Sequence, residues 1–249
     1  SPGKRIGAVR YEPITLEVGL DMVPQFWEMI RQWPATSRRM SGAIVFGDIN
    51  LKQIKRMEFT SALITEIELP PLDAATGKQP FGLFVTLQPD RIENRSGSGG
   101  MINAQGPKGR QVLSSNFRLT GGGLDLSRVT KVDGFAIKQQ ASTGNIGELR
   151  RLAVEPGMVE YGDLVLTLAE TNMASVESLF QDSVVKGSGR ELDIKLELMD
   201  PTLKTVIATI NLRGVGIWKI GGSEQEANAQ RVVMTQAHFY VEGATRDIK

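Results

Sequence analysis

His238 is the only histidine, and cysteine is absent from the 249 residues. A histidine-based nucleophilic triad therefore has one candidate base and a zinc site has few ligands, so neither chemistry is favoured. His238 stands in Ala237-His-Phe-Tyr-Val241, where alternation turns Phe239 and Val241 inward and His238 and Tyr240 outward, to a surface or an interface. Carboxylates are the second chemical resource. Glu66 and Glu68, and Glu191, Asp193 and Glu197, recur at period two. Paired acids can hydrolyse glycosides when their spatial separation is right, but on an alternating strand they mark a solvated face. Gly97-Ser-Gly-Gly100 and Lys186-Gly-Ser-Gly-Arg190 lack the spacing of phosphate-binding loops and read as flexible loops. Arg38, Arg39, Lys52, Lys55 and Arg56 form the densest basic region. With no stacking aromatics interleaved, they read as an exposed turn and strand rather than a nucleic-acid site. Trp27, Trp33 and Trp218 read as core or interface residues. No catalytic, cofactor-binding or metal-ligating residue is assigned, and no cofactor is expected.

The elements that would position these residues are mostly strands. Ile14-Thr-Leu-Glu-Val18 alternates strictly, which predicts a strand with one buried face. A helix follows from about Pro24 to Trp33, opened by Pro24 and stopped by Pro34. Strands are predicted over 43–46, 54–60, 62–69 and 83–87. Asn94 to Gly109 is rich in Gly, Ser and Asn and reads as a linker or long mobile loop. Beyond it, strands are predicted over 116–119, 124–129, 132–138 and 163–169. A helix at about 173–181 precedes strands over 192–199, 205–213, 215–220 and 232–242.

The second half restates the first. Tyr11, Ile14, Leu16 and Val18 align with Tyr161, Leu164, Leu166 and Leu168 at an offset of 150 (161 − 11). The same offset places Phe26, Met29 and Ile30 on Val176, Leu179 and Phe180, the i, i+3, i+4 spacing of one helical face. With small insertions, Leu51-Lys52 meets Leu203-Lys204, Phe59 meets Leu212, Ala62 meets Val215 and Ile64 meets Ile217. Val85 and Leu87 are aligned with Phe239 and Val241. Two modules are expected, residues 1–93 and 112–249, joined by a linker at 94–111. They should superpose, and Phe26, Met29, Val176 and Phe180 should be buried where each helix meets its sheet. The first copy lacks the strands that open the second: either the chain is truncated there or another segment fills the place.

Composition bounds the function. The chain is 41% hydrophobic and 23% charged with a net charge of +1, ordinary for a globular protein and without a global field for nucleic acid or anionic lipid. No apolar run is long enough for a membrane helix. The absence of cysteine fits folding in a reducing compartment. Ser1-Pro-Gly-Lys-Arg-Ile-Gly7 carries no apolar signal core.

A strand, a helix, a meander, a long loop and a final aromatic-rich strand together resemble the tail-tube fold of contractile phage tails and related injection systems. The second copy carries the better match, in Phe117-Arg-Leu, Leu124-Asp-Leu, Val129, Val132-Asp-Gly-Phe135, Leu203 to Trp218 and Phe239-Tyr-Val-Glu242. The first copy matches from Tyr11 to Pro89. The resemblance implies a mainly β protein with one helix per module, as two tandem tail-tube-like β-sandwich or barrel modules. It further implies a non-enzymatic structural subunit that self-associates into rings and a stacked tube, with three two-module chains per pseudo-hexameric ring. Sheath, baseplate or hub proteins would be partners, with nucleic acid or effector only as lumen cargo. Assembly in the bacterial cytoplasm and residence in a virion tail or injection particle follow from the same resemblance. The alternative is a soluble β-sandwich module that binds carbohydrate or a protein ligand through its loops; an enzyme stands third.

Overall fold

The alternation of Ile14-Thr-Leu-Glu-Val18 forms strand β1 (Ile14–Val18), with both ends buried and Thr15 and Glu17 exposed. The computed structural model describes residues 9–19, 24–76, 79–102, 112–146, 151–221 and 233–248. Pro24 opens helix α1 (Pro24–Gln32), where its missing N–H costs nothing because first-turn donors have no intrahelical partner. The first half continues through β2 (Met40–Gly47), β3 (Gln53–Leu69), β4 (Leu72–Asp73), β5 (Leu83–Gln88) and β6 (Arg91–Ser96). The second half comprises β7 (Phe117–Gly121), β8 (Lys131–Val132), β9 (Phe135–Ile146), β10 (Arg151–Tyr161), β11 (Leu164–Ala169), α2 (Ala174–Phe180), β12 (Leu192–Met199), β13 (Val206–Ile220), β14 (Met234–Tyr240) and β15 (Gly243–Ile248). A π-helical turn, Gln181–Val185, extends α2. The protein is mainly β, with one α-helix in each half among the described residues.

Strand pairing repeats between the halves. β5 lies between β1 and β3, and β3 also pairs β2 and β6; β14 lies between β11 and β13, and β13 also pairs β12 and β15. Leu87 faces both Ile14 and Ile64, and Phe239 faces both Leu164 and Ile217. Those registers fix the offsets at 150 (164 − 14) for β1, 152 (239 − 87) for β5 and 153 (217 − 64) for β3. The irregularities repeat as well. The β3–β5 ladder skips Thr65 and the β13–β14 ladder skips Trp218, counterparts at the β3 offset. Positive φ recurs at Leu51 (57°) and Leu203 (57°), and at Ser61 (55°) and Gly214 (58°). Each of β3 and β13 is one long strand shared by two sheets, and a left-handed residue near its middle redirects it from one sheet to the other.

Several expectations need correction. Breaks predicted at residues 61 and 214 are bends within β3 and β13. Residues 124–129 form a loop rather than a strand, although Leu126 and Val129 are buried. The expected strand over 132–138 divides into β8 and the start of β9, while β6, β10 and β15 were not anticipated. The supposed mobile loop begins as β6, and the N–H groups of Gly97, Gly99 and Ile102 then donate to Ile54, Gln53 and Leu51 carbonyls at 2.9, 3.1 and 2.7 Å. Residues 103–111 of that loop lie outside the described residues. In the last aligned strand, Val85 and Leu87 match Ala237 and Phe239, not Phe239 and Val241. A slip of two residues preserves which face each side chain takes, so alternation alone is blind to it.

The halves also exchange strands. β9, at the start of the second half, pairs with β3 of the first through Ile67 opposite Ile137 and Leu69 opposite Phe135. β4 of the first half pairs with β8, which pairs with β11. One hydrophobic cluster accordingly runs through both halves, from Ile14 to Ala244. Phe26, Ile30, Val176 and Leu179 are buried in it, whereas Met29 and Phe180 are only partly buried. On α1 the buried stripe is thus rotated toward Trp27, with Trp33 buried just beyond the helix, whereas on α2 it centres on Val176 and Leu179.

Candidate assembly surfaces

The residues that could have done chemistry are dispersed. His238 is half-buried with its ring centroid 5.5 Å from that of Trp218. No group of three or more His, Cys, Asp or Glu suited to a metal occurs among the described residues. Glu66 pairs with Lys138 at 3.4 Å, Glu197 with Arg118 at 2.6 Å, and Glu191 accepts from the Tyr240 hydroxyl at 3.0 Å. Burial first, and then Glu191, raise the Tyr240 pKa. In the Lys186–Arg190 loop, the Ser188 and Gly189 N–H groups donate to Asp182 and Ser183 carbonyls, both at 3.2 Å, so these amides are not free to cradle a phosphate. The basic region is also divided: Arg39 pairs with Asp90 at 3.1 Å and with Glu155 at 3.4 Å, Arg56 pairs with Glu58 at 2.9 Å, and Lys55 lies 5.5 Å from the Phe46 ring centroid.

The structure instead concentrates unusual side chains where the halves meet. Helix α1 packs against β15. Trp27, Phe81 and Leu83 of the first half share a crevice with Leu198, Ala208, Ile210, Arg246 and Asp247 of the second. Arg246 is 4% exposed; it donates from Nη2 to the Trp33 carbonyl, and its guanidinium carbon lies 5.6 Å from the Trp33 ring centroid. Burial pushes its pKa down to about 10. Gln139 of β9 is a second tie. Its Oε1 accepts from Trp33 Nε1 and Ser37 Oγ, each at 3.1 Å, and its Nε2 donates to the Gly157 carbonyl at 3.2 Å. Sequence reasoning found neither Gln139 nor Arg246. The available signal was a charged residue in the apolar phase of Ala244-Thr-Arg246, in a strand that had not been recognised.

The exchanged strands cover some edges and leave their counterparts open. β8 covers β11, but no strand flanks the outer side of the equivalent β1 among the described residues. β9 covers the C-terminal part of β3, but among the described residues the equivalent end of β13 pairs only β14. Large apolar side chains are also exposed. Phe46, Ile49, Leu51, Ile54 and Met101 lie on or beside the β2–β3 hairpin, and Val184, Val185, Trp218 and Val233 belong to the second half.

No family model matches the sequence, and no curated protein matches it. Among solved structures, the chain is similar to one from the anti-feeding prophage baseplate, at 16% identity over 53% of this chain and 90% of that chain, with a TM-score of 0.41. It is also similar to one from the PVC sheath/tube terminator of an extracellular contractile injection system, at 12% identity over 53% and 93%, with a TM-score of 0.45. A crystal structure of an Hcp protein matches at 9% identity over 74% and 96%, with a TM-score of 0.27.

Proposed function

We propose that this chain is a structural subunit of a phage-like tail or contractile injection tube, which self-assembles through its sheet edges and has no catalytic activity of its own. The observation that carries this reading is the repeated pairing scheme with unequal coverage: among the described residues, β1 and the end of β13 have no outer partner strand where β11 and β3 have one. Unpaired strand edges present rows of hydrogen-bonding groups that natural proteins pair or protect. Here the two open edges lie on different halves, so copies would associate head to tail, and such contacts close into a ring when the rotation permits. With modules at 1–93 and 112–249, and the hydrogen-bonded run from Gly97 to Ile102 packed on the first, three chains supply six modules around a channel. Sheath, baseplate or hub proteins are the partners of such a tube, and any nucleic acid or effector is lumen cargo. Assembly takes place in the bacterial cytoplasm.

Mass photometry at rising concentration, combined with negative-stain microscopy, tests this reading. Trimers, rings or stacked tubes are expected, with each interface burying about 2,000 Å² or more. A strictly monomeric protein at every concentration would overturn it in favour of the binding-module alternative.

A further inference from the structure

In the first half, Trp27 of α1 and Phe81, just before β5, sit on a face made by Leu198, Ala208, Ile210 and Asp247 of the second half. The offsets fixed by strand register identify the counterparts of Phe81 and of the sheet residues, and the sequence offset of 150, at which α1 and α2 also begin, identifies that of Trp27. Trp27 and Phe81 correspond to Glu177 and Val233; Leu198, Ala208, Ile210 and Asp247 correspond to Phe46, Lys55, Met57 and Arg95. In this chain those counterparts do not meet. Glu177 and Lys55 are exposed, Val233 is 51% exposed and Phe46 is 39% exposed.

We propose that the face formed by Phe46, Lys55 and Met57 is covered by Glu177 and Val233 of a second copy of this chain. The inference rests on the ring reading and names its contact. Chemistry supports the choice of occupant. Where a tryptophan and an alanine line the internal crevice, the counterpart positions carry an acid and a base. Neither Glu177 nor Lys55 has an oppositely charged partner within 4.0 Å among the described residues. Two side chains left half in water, Val233 and Phe46, become neighbours in the same arrangement, so the contact combines an apolar centre with a charge pair at its rim. The sheet face and the helix belong to opposite halves, so every copy offers one of each.

Because the native chain has no cysteine, cross-linking gives a clean test. Phe46→Cys/Val233→Cys should form disulfide-linked dimers and trimers on mild oxidation. Met158→Cys/Val233→Cys, with Met158 also exposed, should remain mostly uncross-linked. In parallel, Glu177→Lys and Lys55→Glu should each weaken assembly by about tenfold, and the double variant should recover it. Circular dichroism identifies any variant that fails to fold, and the surface charge pair then decides the matter without the cysteine pair. Rings in the parent protein without cross-linking or charge rescue would overturn this contact while leaving the ring reading intact. A parent protein that never associates would overturn both.

Discussion

Arg246 lies over the ring of Trp33 and donates to the carbonyl of the same residue, which fastens the last strand of the chain to the end of its first helix. The two residues are 213 positions apart, so neither has a reason to be where it is except the packing of one half on the other. The arrangement leaves Nε and Nη1 of the guanidinium without a hydrogen-bond partner among the described residues.

That partial pairing sets the first prediction. Removing a long buried stem leaves a cavity, whereas an apolar replacement of similar length avoids both the cavity and the buried charge. Arg246→Ala should therefore lose about 2–4 kcal/mol, and Arg246→Met should stay within about 1 kcal/mol of the parent. Burial lowers the folded pKa to about 10, below the ordinary guanidinium value. The charged form is consequently penalised in the fold below about pH 10, and the penalty is relieved as pH rises above that value. Urea denaturation of the two variants checks the ranking; equal losses would contradict it.

The paired left-handed residues give opposite mutational signs. Gly214 has a φ of +58°, and an added Cβ would come within 2.8 Å of the Glu242 Cβ. Gly214→Ala should cost about 1–2 kcal/mol or more. Ser61 holds the equivalent bend with φ of 55° and bears that conformational cost already. Ser61→Gly should be neutral or stabilising by up to about 1 kcal/mol, read from thermal midpoints.

Helix orientation makes a third test. Ile30 and Val176 are fully buried, while Met29 and Phe180 are partly exposed. Ile30→Ala should cost about 2–5 kcal/mol, and Met29→Ala clearly less. If Met29→Ala proves the more damaging change, α1 is rotated from the position described.

A fourth prediction concerns acid. Asp200 accepts from the N–H groups of Thr205 and Lys204 at 3.1 and 3.2 Å and from the Thr202 hydroxyl at 2.9 Å. The Thr205 hydrogen bond is the largest influence and holds the carboxyl below its ordinary pKa. A depressed carboxylate adds stability above the ordinary value and loses it as pH falls through the folded one. The stability difference between the parent and Asp200→Asn should therefore shrink as pH is lowered from 5 to 2. Denaturation midpoints across that range would show it; a constant difference would count against the hydrogen-bonded turn.

The duplication, the alternating strands and the helix starts were legible from residue types, because period-two and i, i+3, i+4 spacing are local consequences of backbone geometry. The correspondence of Leu51 with Leu203 and of Ala62 with Val215 held for the same reason: turns and bulges constrain nearby residues. Tertiary structure decided what those patterns could not encode. The slip in β14 left side-chain phase unchanged, and the bends at Ser61 and Gly214 looked like breaks. The pairing of β9 with β3 depended on which distant edge was open, and the burial of Arg246, Trp33 and Gln139 depended on one half folding against the other. Edges and interfaces are chosen by the shapes of both partners at once, so no stretch of sequence read by itself contains them.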